Sequence, residues 1–200
     1  MKEIKVVEIH QVVNTLYSSC TYVITQKGAS WLVDCGDVEP LIHLIGDNTL
    51  CGVMLTHGHY DHIYGLNTLA SITPSLTILT NEAGREDLLN DKRNFSKYIG
   101  DPFIFQAPGR IKLVNDREGV DLFEGVQAVP VFTPGHSPSC VSWVIGDAVF
   151  TGDSYIPGVK TVTNFPLSDK AQVVASDIII RDLVSHHDVY PGHAPEVESL

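Results

Sequence analysis

Three histidines and an aspartate fall within six consecutive positions of the stretch Thr56-His57-Gly58-His59-Tyr60-Asp61-His62. Val53, Met54 and Leu55 precede it, and Ile63, Leu66, Leu69 and Ala70 follow at helix-like spacing. The pattern predicts a buried strand, a donor-rich loop and the start of a helix. Burying four polar, titratable groups this close together without partners costs several kcal/mol. A metal ion removes that cost by taking the imidazoles and the carboxylate as ligands. The rest of the chain is therefore read for what it brings to this loop.

Strands are predicted over 3–9, 20–25 and 31–33, the last ending at Asp34-Cys35-Gly36-Asp37. An aspartate at a strand end followed by glycine is either a plain turn or a carboxylate that orients a ligand histidine. A short helix over 40–45 is stopped by Gly46, and a strand over 50–55 delivers the histidine loop. Beyond it come a helix over 63–71, a strand over 76–79 and a helix over 81–91 capped by Asn81. Residues 92–110 are irregular, as a lid or pocket wall often is. Further strands are predicted over 111–114, 120–123 and 126–132, then a hairpin of 140–145 with 148–151 around Gly146-Asp147. Ser168 is placed to cap an amphipathic helix over 169–184, with Val173, Val174, Ile178, Ile179 and Leu183 on its apolar face. The last strand is Val189-Tyr190.

Three polar residues recur in one setting. His136 in Thr-Pro-Gly-His-Ser, Asp153 in Phe-Thr-Gly-Asp-Ser and His193 in Tyr-Pro-Gly-His each follow a short apolar strand and sit beside a glycine. Glycine lets the backbone turn sharply and aim the next side chain inward. Of nine histidines, five (His57, His59, His62, His136 and His193) lie in these loops and the 57–62 loop, and His10, His43, His186 and His187 read as surface or packing residues. Two ligand sets follow. His57 and His59 with His136 can face one ion, Asp61 and His62 with His193 a second, and Asp153 can bridge both. Each ion keeps an open position for water, as a catalytic site requires. Nitrogen and carboxylate donors without thiolate suit zinc, with iron or manganese as alternatives. Two such ions ~3.5–4 Å apart would hold a bridging hydroxide as nucleophile, and Asp61 is close enough to orient water and carry a proton. Tyr60 and Tyr155 neighbour ligands, and either line the pocket or pack. Lys160 either holds a substrate carboxylate or is solvated.

Composition narrows the classes. At 200 residues and 44% hydrophobic content the chain is expected to form one domain, 1–200, with a sizeable core. A net charge of −11 opposes binding to phosphate backbones, so no nucleic-acid partner is expected. No stretch spans a bilayer and the N-terminus lacks an apolar leader core, so a cytoplasmic location without membrane association is expected. Cys20, Cys35, Cys51 and Cys140 form no Cys-x-x-Cys pair and read as core residues. A small molecule is the expected partner, with a homodimer left open.

The set His-x-His-x-Asp-His, His136, Asp153 and His193, in this order, resembles the metallo-β-lactamase superfamily. The resemblance runs from the Asp34-Cys35-Gly36 turn to Gly192-His193. It implies an α/β fold, a four-layer αββα sandwich with a dinuclear site at one edge of its sheets, and it favours Asp34 as the support of a ligand histidine. Within the superfamily the chain is most similar to the small glyoxalase II-like thioesterases of the hydroxyacylglutathione type, which Asn94-Phe95-Ser96 and Gly152-Asp153-Ser154 fit. It departs from them in two places. It ends soon after His193, so the helical part that binds glutathione in the longer enzymes is not expected. The loop from Tyr155 to Lys160 also lacks their Gly-Arg-Thr-Asp type sequence. The implied function is hydrolysis of a small thioester or ester. The rivals on this fold are a mononuclear iron persulfide dioxygenase using His57, His136 and Asp153, a lactonase or phosphodiesterase, and a non-enzymatic metal-binding scaffold.

Overall fold

The computed structural model describes residues 7–194. A six-stranded sheet has β1 (Glu8–Val13), β2 (Cys20–Gln26), β3 (Ala29–Val33), β4 (Thr49–Met54), β5 (Thr77–Thr80) and β6 (Ile111–Leu113) in spatial order. The first three strands are antiparallel, and β3 through β6 run parallel. Parallel neighbours need crossovers. These carry α1 (Val38–Ile45), α2 (Leu66–Ile72) and α3 (Glu82–Leu88). The second sheet orders β11 (Asp188–Pro191), β10 (Ala148–Gly152), β9 (Val141–Ile145), β8 (Val126–Phe132) and β7 (Val120–Phe123). Its strands are antiparallel except β11, which returns parallel to β10 through α4 (Lys170–His186).

Side chains alternate across each strand, so the first sheet feeds two cores. Val23, Leu32, Val53 and Ile78 pack with Leu41, Ile45, Leu66, Leu69 and Leu88 of the helices. Their neighbours Tyr22, Ile24, Trp31, Val33, Met54 and Leu79 pack with Ala128, Val141, Trp143 and Phe150 of the second sheet. With both faces covered, β2 has no exposed residue, as expected of a strand inside a layered fold. Three polar tips tie the sheets together. Trp31 Nε1 donates to the Leu122 carbonyl (3.1 Å), Trp143 Nε1 to that of Leu55 (2.9 Å) and the Tyr22 hydroxyl to that of Pro191 (2.7 Å). The αββα layering that the family resemblance implies is what the chain adopts.

Several boundaries differ from expectation. The first strand occupies Glu8–Val13 rather than 3–9, and residues 3–6 lie outside the described part. A single 3-10 turn, Tyr60–His62, delays α2 until Leu66. Asn81 caps α3 as expected, its side chain accepting from Gly84 N, but the helix stops at Leu88. Asp169 caps α4, accepting from the backbone of Ala171 and Gln172, while the Ser168 hydroxyl donates to the His136 carbonyl (2.7 Å). The apolar face assigned to α4 is also corrected. Val174 and Ile178 are 67% and 72% exposed, and the helix buries Ser176 and Ile180 instead.

Strand direction separates two rims. β3, β4, β8, β10 and β11 end at one rim, where the titratable loops lie. The β2–β3, β7–β8 and β9–β10 turns, at 27–28, 124–125 and 146–147, lie at the other. Lys27 and Glu124 form an ion pair (4.0 Å) between two of these far turns.

Candidate metal centre

β4 leads through Leu55 and Thr56 into the loop of His57, His59, Asp61 and His62, while β8, β10 and β11 lead to His136, Asp153 and His193. Donors from both sheets therefore converge. Two glycines permit the approach. A Cβ on Gly58 would lie 2.3 Å from Asp87 Cβ, and one on Gly152 would lie 2.5 Å from Thr56 Cβ. The Gly58 amide donates to Ser139 Oγ (3.0 Å), which joins the histidine loop to the loop of His136.

All seven predicted donors come together. His57, His59 and His136 form one group whose donor atoms lie within 4.8 Å of one another; Asp61, His62 and His193 form a second, and His57, His62 and Asp153 a third. Asp153 sits between the first two, with Oδ2 3.4 Å from His136 Nε2 and 3.3 Å from His193 Nε2, and Oδ1 3.5 Å from His62 Nε2. Asp61 Oδ2 is 3.5 Å from His62 Nε2 and 3.4 Å from His193 Nε2.

The outer ring nitrogens fix which atoms face the centre. His136 Nδ1 is 2.9 Å from the Val162 carbonyl and His193 Nδ1 2.9 Å from that of Tyr17. His62 Nδ1 is 2.9 Å from Asp34 Oδ2. Carbonyls and carboxylates only accept, so each of these nitrogens carries hydrogen and a neutral ring turns its Nε2 lone pair inward. The Thr56 hydroxyl donates to Asp34 Oδ2 (2.7 Å) and so accepts from His57 Nδ1 (3.1 Å), which leaves His57 Nε2 inward as well. Asp34 Oδ1 also accepts the Thr56 amide (2.7 Å). Asp34 is thus no plain turn residue; it clamps the base of the loop.

This arrangement fits a bound cation. His57 Nε2 and Asp153 Oδ1 are buried without a hydrogen-bond partner among the described residues. His59 Nδ1 and His136 Nε2 stand 2.9 Å apart, and His62 Nε2 and His193 Nε2 3.3 Å apart. With Nδ1 of His62 and His193 both carrying hydrogen, their two Nε2 lone pairs face each other and repel unless positive charge lies between them. Ionisation gives the same picture. Burial, with nearby His62 and His59, pushes His57 well below the usual imidazole value, and burial with His136 does so for His59. Burial also opposes charge on His62, but Asp61, Asp153 and Asp34 outweigh it and push that ring up to about 10. Burial works against an ionised Asp153, yet His62 and its neighbours hold it well below the carboxylate range. The carboxylates thus require positive charge here, which a proton on His62 or a cation among the donors supplies.

A cavity of about 780 Å³ opens over the cluster, lined by His59, Asp61, His136, Asp153 and His193 at one end and by apolar side chains elsewhere. Phe95, Ile99, Ile156, Val159, Val162 and Phe165 form those walls. The irregular 92–110 segment contributes Asn94, Phe95 and Ile99, so it is part of the wall. Tyr60 also lines the cavity, but its hydroxyl is committed to Asp101. Lys160 is exposed and borders a smaller recess beside His136 and Asp153. Tyr155 lines neither space; its carbonyl accepts from Thr151 Oγ1 (2.6 Å). Sequence reasoning missed Phe165, Val162, Ser139 and Asp87. Nothing in their local sequence distinguishes them from ordinary loop or helix-surface residues.

Residues 14–193 match the family described as the metallo-beta-lactamase superfamily. The chain belongs to that superfamily. Among its relatives, a "probable metallo-hydrolase" of Streptococcus pyogenes serotype M6 is 27% identical over 202 residues, covering 94% of this chain and 84% of that one. The hydroxyacylglutathione hydrolase of Hydrogenovibrio crunogenus is 27% identical over 187 residues; the match covers 90% of this chain and 60% of that protein. Among solved members of the superfamily, the crystal structure of the B3 metallo-beta-lactamase BLEG-1 has the same fold. Its TM-score is 0.83 at 24% identity, with 94% of this chain and 92% of that one covered.

Proposed function

We propose that the chain is a metal-dependent hydrolase of the glyoxalase II-like kind, cleaving a small thioester or ester. One observation carries this reading: seven His and Asp side chains cluster together, and five of them, His59, Asp61, His136, Asp153 and His193, open onto a largely apolar cavity. His57, His59 and His136 would hold one divalent ion, Asp61, His62 and His193 a second, and Asp153 both. Zinc suits these donors best, with iron and manganese next. When bound, the ions supply an acidified water and an electrophile for the substrate carbonyl. The protein's own residues do the rest. Asp61 faces the cavity, where it orients the attacking water and carries its proton toward the leaving thiol or alcohol. Asp34 and Thr56 hold His57 and His62 in the tautomers that the ions require. Phe95 and Phe165 pack edge-on against His59, with ring centroids 4.9 and 5.2 Å away. A cytoplasmic setting and a small-molecule substrate, with neither nucleic acid nor membrane as partner, belong to the same proposal. The net charge of −11 supports it, and no helix among the described residues is long and apolar enough to cross a membrane.

The test is a hydrolysis panel on metal-loaded protein, covering thioesters, lactones, phosphodiesters and β-lactams, together with metal analysis. Two ions per chain and thioester or ester cleavage that His59→Ala or Asp153→Ala abolishes are the expected result. One iron per chain with thiol-dependent oxygen uptake would replace the proposal with the dioxygenase reading. Hydrolysis that survives either substitution would show the roles to be misassigned.

A further inference from the structure

The cavity has a chemical bias that the metal cluster does not explain. Its walls come from two loops, Phe95 and Ile99 on one and Ile156, Val159, Val162 and Phe165 on the other. The loops meet through the Phe95–Phe165 ring pair (5.0 Å), and both rings lean on His59 at 4.9 and 5.2 Å. Water reaches much of this wall. Ile99 is 42% exposed, Val159 54%, Val162 44% and Phe165 40%. Apolar surface held open in a concave site is what an apolar ligand covers.

Charge points the same way. Asp61 and Asp153 line the cavity, and no lysine or arginine does so among the described residues. Lys160 borders the smaller recess. Away from the donor cluster, Phe95, Ile99, Val159, Val162 and Phe165 offer no charged partner to the remote carboxylates of a substrate such as a glutathione conjugate. We infer that the site selects thioesters or esters whose acyl group is uncharged and apolar, seated between Phe95, Ile99, Val159, Val162 and Phe165. This rests on the hydrolase reading and adds the substrate class to it. The reaction balances as ordinary hydrolysis: water adds its oxygen to the acyl carbon, the carbon–sulfur or carbon–oxygen bond breaks, and the leaving group takes a proton.

The experiment compares acetyl, butyryl, hexanoyl and octanoyl thioesters of the neutral thiol N-acetylcysteamine with the same acyl groups on glutathione, using zinc-loaded protein. Up to the length of the cavity, kcat/KM is expected to rise roughly threefold to fourfold per added methylene. Glutathione conjugates should do no better than their neutral counterparts. Phe165→Asp and Val159→Asp, both at partly exposed positions, should each lower the octanoyl-to-acetyl ratio of kcat/KM at least tenfold. A flat series, or a clear preference for glutathione, overturns the inference while the hydrolase reading stands. Loss of all hydrolysis strikes that reading instead. Calorimetric binding of the thioether analogues S-octyl- and S-ethyl-N-acetylcysteamine then decides the inference alone: tighter octyl binding supports it, and equal binding overturns it.

Discussion

At the scale of single residues, Asp34 shows how much can depend on one buried carboxylate. It stands at a φ of 60°, a conformation that aspartate tolerates better than most residues. Its two oxygens accept from the Thr56 amide, the Thr56 hydroxyl and His62 Nδ1. In Asp34→Asn one of those oxygens becomes a donor. If it is the one facing His62, the imidazole must turn its hydrogen toward the cluster. The expected loss is ~1–3 kcal/mol of folding stability, read by urea unfolding of metal-free protein. Metal affinity should fall roughly tenfold to a hundredfold, read by titration. Unchanged affinity would show that the clamp is dispensable. The seven donors were legible in the sequence because each follows an apolar strand, next to or near a glycine. Asp87 and Ser139 were not, since a carboxylate on a short helix and a serine after a proline are ordinary surface choices. Only the fold shows Asp87 pressed under Gly58 and Ser139 taking its amide.

At the scale of elements, α4 shows where periodicity fails as a guide. Ile178, Ile179 and Ile180 are consecutive, so apolar residues occupy more of the helix circumference than the core can use. Phase is set by a polar residue. Ser176 is buried and donates to the Pro134 carbonyl (2.7 Å), which turns Ile180 inward and Ile178 out. Ile180→Ala should cost ~2–5 kcal/mol in urea unfolding, whereas Ile178→Lys should stay within about 0.5 kcal/mol. The reverse ranking would mean the helix is misplaced. The loop before β2 gives a pH prediction. Asp37 accepts from the Thr15 amide (2.7 Å), the Thr15 hydroxyl (3.1 Å) and the Tyr64 hydroxyl (2.6 Å). Burial opposes its charge, but these bonds hold its carboxyl below the ordinary 3.8. A lowered value means stabilisation that is full above pH 3.8 and lost as the pH falls through the folded value. Asp37→Asn removes that contribution, so its stability should fall less steeply in acid than that of the parent. Parallel acid-unfolding curves would count against the bond network.

At the scale of the whole molecule, the two sheets share one site. The first group of donors takes two histidines from the β4 loop and one from β8, and the second joins that same loop to β11. A cation bound there links the halves of the chain as well as preparing it for chemistry. At a hundredfold excess over its dissociation constant, each ion should add about 2.7 kcal/mol, or roughly 5–10 °C in Tm. Scanning calorimetry with chelator and then with zinc measures this. Asp153→Ala, which removes the shared donor, should lose most of the rise. The strands and turns were readable from the sequence as apolar runs punctuated by glycine, and their layering came from the family resemblance. The meeting of the two sheets was not readable, since the bonds from Trp31, Trp143 and Tyr22 join positions 91, 88 and 169 residues apart.

The ion pair of Lys27 with Glu124 marks the end of the sandwich remote from every donor. Each short hairpin there closes on itself, so the chain can leave at residue 28, 125 or 146 and come back without disturbing a strand that carries a ligand. A fluorescent reporter or affinity handle spliced into any of the three should leave turnover intact, whereas the same insert after β4, β8, β10 or β11 should silence the enzyme. The architecture thus leaves one end open to elaboration and holds the other fixed for chemistry.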